Sequence, residues 1–447
     1  MKRAAVKDKP DRPMVPAIER PGMAGDSQQD GTRHAWIDRR PSRRPGLLAA
    51  FCWLGVAAML GGPVRAFEAR DLLAFRAGPV TFRQKLSSSA QFTDNLFWSD
   101  GTLFPKESDL VGIFSPSVTA ELGRTETPNR VSLGYTLDGL VYLHNSAQNA
   151  VDHHINLSAN FRGDRLSSAS SVAFGFLSSI QNGMQRFEEG ILVPSGKVDR
   201  TQYSLSQALE YDFTTRISGY VRGSLNGLLY GGESRFSDTL NWRATAGGTF
   251  AMRPGFRILG EVYYGQRQLQ DSSGLQSGPP DLDTLGGMVG FRSELTRRLA
   301  GTAKVGYEHS EFADGSPGND GPVFEVDLGY KVTDRFSTRI GYRRATMVAS
   351  SPGGLTGITD FVNAGLQYRW GTLHPILFNA NFNYGTTDYF NTDASQERFG
   401  AGASITYQFT IWLAGVLAYD YENLGNNLSG ARSYSVNRVT ASVILGY

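Results

Sequence analysis

The sequence predicts an all-β fold, a transmembrane antiparallel up-and-down β-barrel of about 18 strands with short periplasmic turns and long extracellular loops. Three observations predict it. Apolar and polar residues alternate with period two in many segments, the connections alternate between short and long, and aromatic residues flank both ends of the segments. In hydrocarbon every backbone N–H and C=O must be paired within the protein, so strands cross a membrane only as a closed barrel.

Composition supports strands and tight turns. The 447 residues include 52 glycines, 11% are aromatic and only 19% are charged, against roughly 25% charged in an average chain. Residues 1–66 hold 12 Lys/Arg and 6 Asp/Glu, a net +6, so the remaining residues carry −4 of the total of +2. A mildly acidic remainder gives no reason to expect nucleic acid as a partner.

The first 66 residues predict a basic extension and a signal peptide. The apolar run from Gly46 to Leu60 follows a cluster of arginines and precedes a small-x-small end at Ala66, which is the pattern of a secretory signal. A membrane anchor is the alternative, but a spanning helix needs roughly 20 apolar residues. Cleavage after Ala66 leaves 67–79 as a periplasmic N-terminal segment and 80–447 as an outer-membrane β-barrel.

Alternation marks strands that have two different faces. In residues 376–384, Ile376 and Phe378 lie on one face, whereas Asn379 and Asn381 lie on the other. The predicted strands are 80–93, 110–122, 131–142, 153–162, 165–178, 201–213, 216–229, 239–251, 256–266, 284–295, 299–308, 323–332, 336–345, 361–370, 376–385, 398–409, 412–422 and 436–447.

The connections and the aromatic residues define two different rims. Tight links such as Gly163-Asp164 and Thr214-Thr215 alternate with long polar loops, which is typical of outer-membrane barrels. The long loops are 94–108, 181–199, 267–281, 309–321, 346–359, 386–397 and 423–435. Aromatic residues near the short turns are Phe213, Phe250, Phe256, Phe336, Trp370, Phe409 and Trp412, and those near the long loops are Tyr142, Tyr230, Tyr264, Tyr342, Tyr384 and Tyr421.

A secreted β-sandwich or repeat adhesin is the alternative fold, because its strands also alternate. A sandwich would not need aromatic bands at both strand ends, which suit rings at the two membrane interfaces. The last segment alternates up to Tyr447, and in a barrel it must pair with the first strand. We expect this C-terminal strand to be read by the barrel-assembly machinery, and outer-membrane lipid to surround the barrel.

An interior enclosed by about 18 strands is wide enough for an aqueous channel. Alternation predicts a pore-lining set of mixed charge, in which balanced signs argue against strong ion selectivity. Asn, Ser and Thr among the inward residues suit many hydroxyl groups, as sugars present. The pore-lining candidates are Arg222, Arg243, Glu261, Arg292, Glu325, Asp327, Arg339, Arg343, Asn363, Arg369, Asn379 and Asn381.

Asp152-His153-His154 is the one conspicuous ionisable cluster. Adjacent histidines on a strand point to opposite faces and cannot both bind one ion without a bulge. The polar start of a strand is therefore favoured over a metal site or a hydrolase. Cys52, the single cysteine, lies in the leader. The sequence predicts no catalytic residue, no metal, no cofactor and no enzymatic activity.

The N-terminal third of the barrel resembles the putative β-barrel porin family, type 2. The resemblance rests on FTDNLFW (92–98), SDLVGIFSPSVTAELG (108–123), RVSLGYTLDGLVYLHN (130–145) and AVDHHINLSANF (150–161). The matching elements are Thr93, Asp94 and Asn95; Ser115 and Pro116; Tyr135 and Tyr142; and Asp152 and His153. The resemblance implies an outer-membrane barrel of a Gram-negative bacterium that serves as the exit for an exopolysaccharide, with a periplasmic polysaccharide-export protein as partner.

Three functions are consistent with this sequence. The first is an exit conduit for an exopolysaccharide, the second is a general or sugar-uptake diffusion porin, and the third is a structural or adhesive barrel with a blocked lumen. Within loop 181–199, Ile191, Leu192 and Val193 would be exposed unless the loop folded inward. This loop is therefore the candidate plug.

Overall fold

The computed structural model describes most of the predicted barrel. The described residues are 73–101, 105–123, 128–180, 197–231, 237–271, 281–294, 296–315, 317–348, 356–372, 374–390, 393–427 and 433–446. The predicted leader, the segment 67–72, most of the candidate plug loop and Tyr447 lie outside the described residues.

The described residues form 19 successive β-strands and one 3-10 turn at Ser146–Gln148. The strands are β1 (Ala74–Ala77), β2 (Val80–Thr93), β3 (Asp109–Leu122), β4 (Arg130–Tyr142), β5 (Ala150–Arg162), β6 (Leu166–Leu177), β7 (Arg200–Asp212), β8 (Ile217–Tyr230), β9 (Ser237–Arg253), β10 (Phe256–Asp271), β11 (Leu282–Glu294), β12 (Leu299–Phe312), β13 (Pro317–Thr333), β14 (Phe336–Val348), β15 (Thr356–Trp370), β16 (Ile376–Tyr389), β17 (Ser395–Gln408), β18 (Leu413–Asn426) and β19 (Tyr434–Gly446).

Strands β2 to β19 close into an 18-stranded barrel. Each pairs antiparallel with the next, and β19 pairs with β2 from Gly446 opposite Lys85 to Arg438 opposite Thr93. The predicted fold class is thereby confirmed. The short strand β1 is not one of the 18, because it pairs with Val80–Arg83 of β2, beyond the residues of β2 that pair with β19.

The outer face of the barrel is apolar. Val262, Val289 and Val305 on three successive strands are all exposed, and an exposed valine belongs in lipid rather than in water. A lysine or arginine at mid-depth on that face would cost roughly 2–4 kcal/mol. The residue that precedes each valine points into the barrel instead. These residues are Glu261, Met288 and Lys304.

Strands reach further than predicted at the long-loop rim. Residues 309–321 were expected to be a loop, but β12 continues to Phe312 and β13 begins at Pro317. In the same way β10 continues to Asp271, into the predicted loop 267–281. Above the membrane both faces of a strand meet water, so the chain can stay paired without an apolar face.

Two tyrosines predicted for the outer aromatic band are on the inner face instead. Tyr142 and Tyr230 are buried inside the barrel, because each follows an outward-facing residue, Val141 and Leu229 respectively, and neighbours along a strand alternate. Tyr264 and Trp370 are exposed on the outer face, one toward each rim.

No helix within the described residues is both long and apolar enough to cross a membrane.

Candidate functional site: the inner wall of the barrel

Cross-strand pairing fixes which side chains point into the barrel. Lys304 lies opposite Glu325, and Glu325 lies opposite Arg343. On the same strands the exposed apolar residues, such as Val305 and Ile340, have the other parity. By this register the inward side holds all twelve candidates, namely Arg222, Arg243, Glu261, Arg292, Glu325, Asp327, Arg339, Arg343, Asn363, Arg369, Asn379 and Asn381.

The twelve residues do not meet at one point. Asn379 donates from Nδ2 to Ser404 Oγ at 3.3 Å, and Asn363 lies opposite Asn383 on the neighbouring strand. These amides belong to β15 and β16, whereas most of the charged candidates belong to β8–β14. The candidate site is therefore a wall of the barrel with a charged part and an amide part.

Lys304 is the centre of a buried ion network on the charged part. Its Nζ lies 3.0 Å from Glu261 Oε1 and 3.1 Å from Glu325 Oε2. The side chains of Lys304 and Glu261 are only 9% and 7% exposed. Desolvated charges are stable only when they are paired and hydrogen-bonded, so this lysine neutralises two carboxylates rather than facing the lumen.

Tyrosines on the same wall hold two glutamates and support two arginines. Tyr220 donates its hydroxyl to Glu261 at 2.6 Å, and the guanidinium carbon of Arg222 lies 4.3 Å from the centre of the Tyr220 ring. A guanidinium over a ring face gains a cation–π attraction and loses rotamer freedom. The ring therefore fixes the position of the arginine.

A second group of one tyrosine, one glutamate and one arginine lies on the neighbouring strands. Tyr263 donates its hydroxyl to Glu308 at 2.8 Å, and Arg243 stacks on the Tyr263 ring at 3.6 Å. Arg243 Nη2 is 3.8 Å from Glu308 Oε2. Neither Glu308 nor the two tyrosines belonged to the predicted site, although alternation places all three on the inner face.

Cations exceed carboxylates on the inner face of β8–β15, counted over the strand residues whose side chains the structure describes. The cations are Arg222, Arg243, Arg257, Arg267, Arg292, Lys304, Lys331, Arg339, Arg343 and Arg369, and the carboxylates are Glu261, Glu294, Glu308, Glu325 and Asp327. Ten positive charges minus five negative charges leave this wall, hereafter the cationic wall, at +5. Arg292 and Arg339 are exposed toward the lumen.

The segment 94–101, which follows β2, folds onto the inner face at the long-loop end. Leu96 is buried against Val111, Leu140 and Tyr142 on one side of the closure between β19 and β2. Trp98 is buried against Leu424, Tyr434 and Val436 on the other side. Sequence periodicity could not show this, because the segment is a loop without alternation.

Asn95 and Asp94 hold this segment by hydrogen bonds. Asn95 donates from Nδ2 to Ser99 O at 2.7 Å and to Ser435 O at 2.9 Å, and its Oδ1 accepts from Ser99 N at 2.9 Å. Asp94 accepts from Asn437 N and from Asn437 Nδ2, each at 2.7 Å. The Thr-Asp-Asn element thus joins the first strand to the last.

The Asp-His-His cluster separates as the strand geometry requires. Asp152 is fully buried and accepts from Ser178 N at 2.7 Å and from Ser179 N at 3.1 Å. His154 Nε2 lies 3.1 Å from Asp138 Oδ2 on the same inward side, and His153 Nδ1 lies 2.8 Å from Tyr135 OH on the outward side. Within the described part of the chain, no group of three or more His, Cys, Asp or Glu could hold a metal.

A closed barrel with an apolar exterior and a charged, hydrogen-bonded interior defines a porin-like outer-membrane β-barrel channel. The chain belongs to the family described as Putative beta-barrel porin 2, whose model matches residues 73–447. The resemblance seen in the N-terminal third of the barrel is therefore confirmed over the whole barrel. No curated protein matches the chain.

Solved outer-membrane barrels are similar to this chain at low identity. OpdK of Pseudomonas aeruginosa, crystallised with vanillate, is 11% identical, with 82% of this chain and 99% of that chain covered and a TM-score of 0.44. OccAB3 of Acinetobacter baumannii is 10% identical, with 82% and 99% covered and a TM-score of 0.42. OpdQ of P. aeruginosa is 15% identical, with 82% and 98% covered and a TM-score of 0.40.

Proposed function

We propose that the protein is a passive diffusion channel in the outer membrane of a Gram-negative bacterium, that it admits small hydrophilic solutes, and that it prefers anions. The observation that carries this proposal is the cationic wall, with its excess of five positive charges on one side of the barrel interior. This departs from the expectation of balanced signs, because cations outnumber carboxylates two to one on this wall.

The buried carboxylates contribute little field to the lumen. Glu261 accepts from Tyr220 and Lys304, and Glu308 accepts from Tyr263. Arg292 is exposed and makes no ion pair among the described residues, so its charge acts on the lumen directly. Charges of one sign along a cleft raise the local concentration of the opposite ion, and rings or walls of arginine and lysine favour anions in pores.

An exit conduit for an exopolysaccharide is the second candidate. The N-terminal resemblance supports it, as does a wall that would attract an acidic polymer. The inner-face tyrosines favour the first candidate, because Tyr220, Tyr263 and Tyr434 are all buried. A neutral sugar chain would need open aromatic faces on which its apolar ring faces could pack.

Planar-bilayer recording of the processed chain tests the proposal. We expect step-like conductance, and in a KCl gradient a reversal potential displaced toward that of chloride. Absence of conductance would favour a blocked, structural or adhesive barrel. A reversal potential on the potassium side would overturn the anion preference.

A deletion strain separates uptake from export. An uptake channel predicts slower entry of small anions in the deletion strain and unchanged secretion of labelled polysaccharide. Accumulation of labelled polymer in the periplasm of that strain would support the export function instead.

A further inference from the structure

We infer that the long-loop half of the cationic wall holds a binding subsite for small polyhydroxylated carboxylates, the class to which sugar acids belong. This inference rests on the proposed channel function, because the subsite lies on the solute path. The wall contains a recess of about 390 Å³ in this half of the barrel. Its lining includes Asn226, Asn241, Arg243, Arg267, Glu308 and Arg343.

Arg243 is the anchor for the carboxylate. Its guanidinium stacks on Tyr263 at 3.6 Å, which fixes its plane, and its side chain is 37% exposed. Its carboxylate neighbour Glu308 is 3.8 Å away and already accepts the Tyr263 hydroxyl. A guanidinium held in one plane presents parallel N–H donors that match the two oxygens of a carboxylate.

Polar side chains next to Arg243 can form hydrogen bonds with the hydroxyl groups of a solute. Ser224 lies opposite Arg243, and Asn226 lies opposite Asn241 on the same two strands. Within the described residues, the amides of Asn226 and Asn241 have no hydrogen-bond partner in the protein. Each amide offers two donors and one acceptor oxygen, and a sugar hydroxyl can use both.

The recess continues across β10 because that strand contributes no side chain there. Gly265 lies opposite Arg243 on one side and opposite Thr284 on the other. Thr284 and Thr359 add hydroxyls to the lining of the recess. The result is a cation at one end and amide and hydroxyl groups around it, which fits a carboxylate carried on a polyhydroxylated chain or ring.

Other charges around the recess favour an anion over a neutral sugar. Arg267 and Arg343 also line it, against the single carboxylate of Glu308. Glu308 is buried and accepts the Tyr263 hydroxyl, so its charge opposes an anion in the recess only weakly.

The test is block of single-channel current by glucuronate, with the processed chain in planar bilayers. We expect saturable block in the millimolar range, since a channel site must release its solute. Glucose, which lacks the carboxylate, and acetate, which lacks the hydroxyls, should both block at least several-fold less. R243Q should weaken glucuronate block by about tenfold, as expected for loss of a charge-assisted hydrogen bond.

Two further variants show whether the block depends on the recess. R216Q changes an arginine of the β7–β8 turn, outside the recess, and should leave block unchanged. The double variant N226A/N241A should weaken the block by glucuronate and leave that by acetate unaltered. Normal conductance without glucuronate block would overturn the proposed subsite but would not contradict the proposed channel function.

If no conductance is seen, calorimetric titration of the detergent-solubilised barrel with glucuronate tests the subsite directly. Saturable binding that R243Q weakens would support the subsite, although the channel proposal would have failed. Absence of binding to the folded protein would overturn it. The shift of the folded band on heating in SDS gels verifies that each variant is folded.

Discussion

The indole of Trp98 meets the ring of Tyr434 edge to face, with centroids 4.9 Å apart and planes at 83°. Trp98 follows the first barrel strand and Tyr434 opens the last one, so this contact joins the two strands at the closure of the barrel. The guanidinium of Arg438 lies 5.0 Å from the centre of the Trp98 ring. The closure is therefore held by side chains in addition to the backbone ladder between β19 and β2.

Replacement of Trp98 should weaken the barrel. W98A removes a fully packed aromatic side chain, a change that typically costs roughly 3–5 kcal/mol. We expect the temperature at which the folded band disappears in SDS gels to fall, and urea unfolding to shift to lower concentration. W98F should lose less, because a smaller ring can still pack on Tyr434.

The matched control for Trp98 is Trp370, which is exposed on the outer face near the short turns. W370A removes the same atoms from a surface in contact with lipid, so its effect on the folded band should be smaller. Equal losses in W98A and W370A would contradict a specific role of Trp98 in closure.

Asp152 should stabilise the end of β6 rather than take part in chemistry. It is buried and accepts the backbone N–H groups of Ser178 and Ser179. D152A leaves these donors without an acceptor, which typically costs roughly 1–3 kcal/mol for a buried group. D152N, which keeps one acceptor oxygen, should fall between D152A and the native chain in urea unfolding.

H153A is the control for Asp152, because His153 points outward from the adjacent position and contacts Tyr135. Limited proteolysis adds a local readout, since release of Ser178 and Ser179 should speed cleavage near residue 180. A D152A barrel as stable and as resistant as H153A would show that the predicted capping role is wrong.

Lys304 should matter for both stability and ion preference. K304M removes the cation between Glu261 and Glu325, and breaking one side of a buried pair typically costs roughly 3–5 kcal/mol. The same change lowers the charge of the cationic wall, so the reversal potential should move away from that of chloride. Urea unfolding and bilayer recording measure the two effects.

The double variant K304M/E261Q distinguishes pairing from packing. If Lys304 acts by neutralising Glu261, removing that carboxylate as well should restore part of the lost stability, a coupling that a double-mutant cycle measures. Strictly additive losses would show that the network is not coupled and that the side chain of Lys304 acts by packing alone.

Sequence alternation predicted the strands well at the short-turn rim and less well at the long-loop rim. The strand β12 begins at Leu299 as predicted, but it ends at Phe312 rather than at residue 308. Alternation is imposed by lipid on one face and water on the other, so it fades where the strand rises above the lipid. The number and order of strands were predictable because each crossing of the membrane repeats the same constraint.

The inner wall was predictable as a face but not as a set of contacts. Parity placed Arg243 and Glu261 inside, since neighbours along a strand alternate. It could not show that Tyr263 would lie under Arg243 or that Lys304 would bridge two glutamates, because those contacts depend on register between strands. Trp98 was missed for a different reason, since a loop that folds inward has no periodic pattern.

A disulfide designed across the closure tests the register of the barrel itself. Ser89 and Ser442 are directly opposite on β2 and β19, and their Oγ atoms are 2.9 Å apart on the inner face. Cys52, the single cysteine, lies in the predicted leader, so the processed S89C/S442C chain would hold only the two new thiols. Opposed strand residues lie close to the Cβ separation that a disulfide requires.

We expect S89C/S442C to oxidise without loss of the folded band, because the bond joins side chains that already touch. After boiling without reductant the chain would form a closed loop of most of its length and migrate faster than the reduced chain. The control is S89C/V443C, in which Val443 points to the lipid and the two sulfurs lie on opposite faces of the sheet. Two titratable thiols in folded, oxidised S89C/S442C, or an equal yield of disulfide in the control, would show that β19 and β2 do not pair in this register.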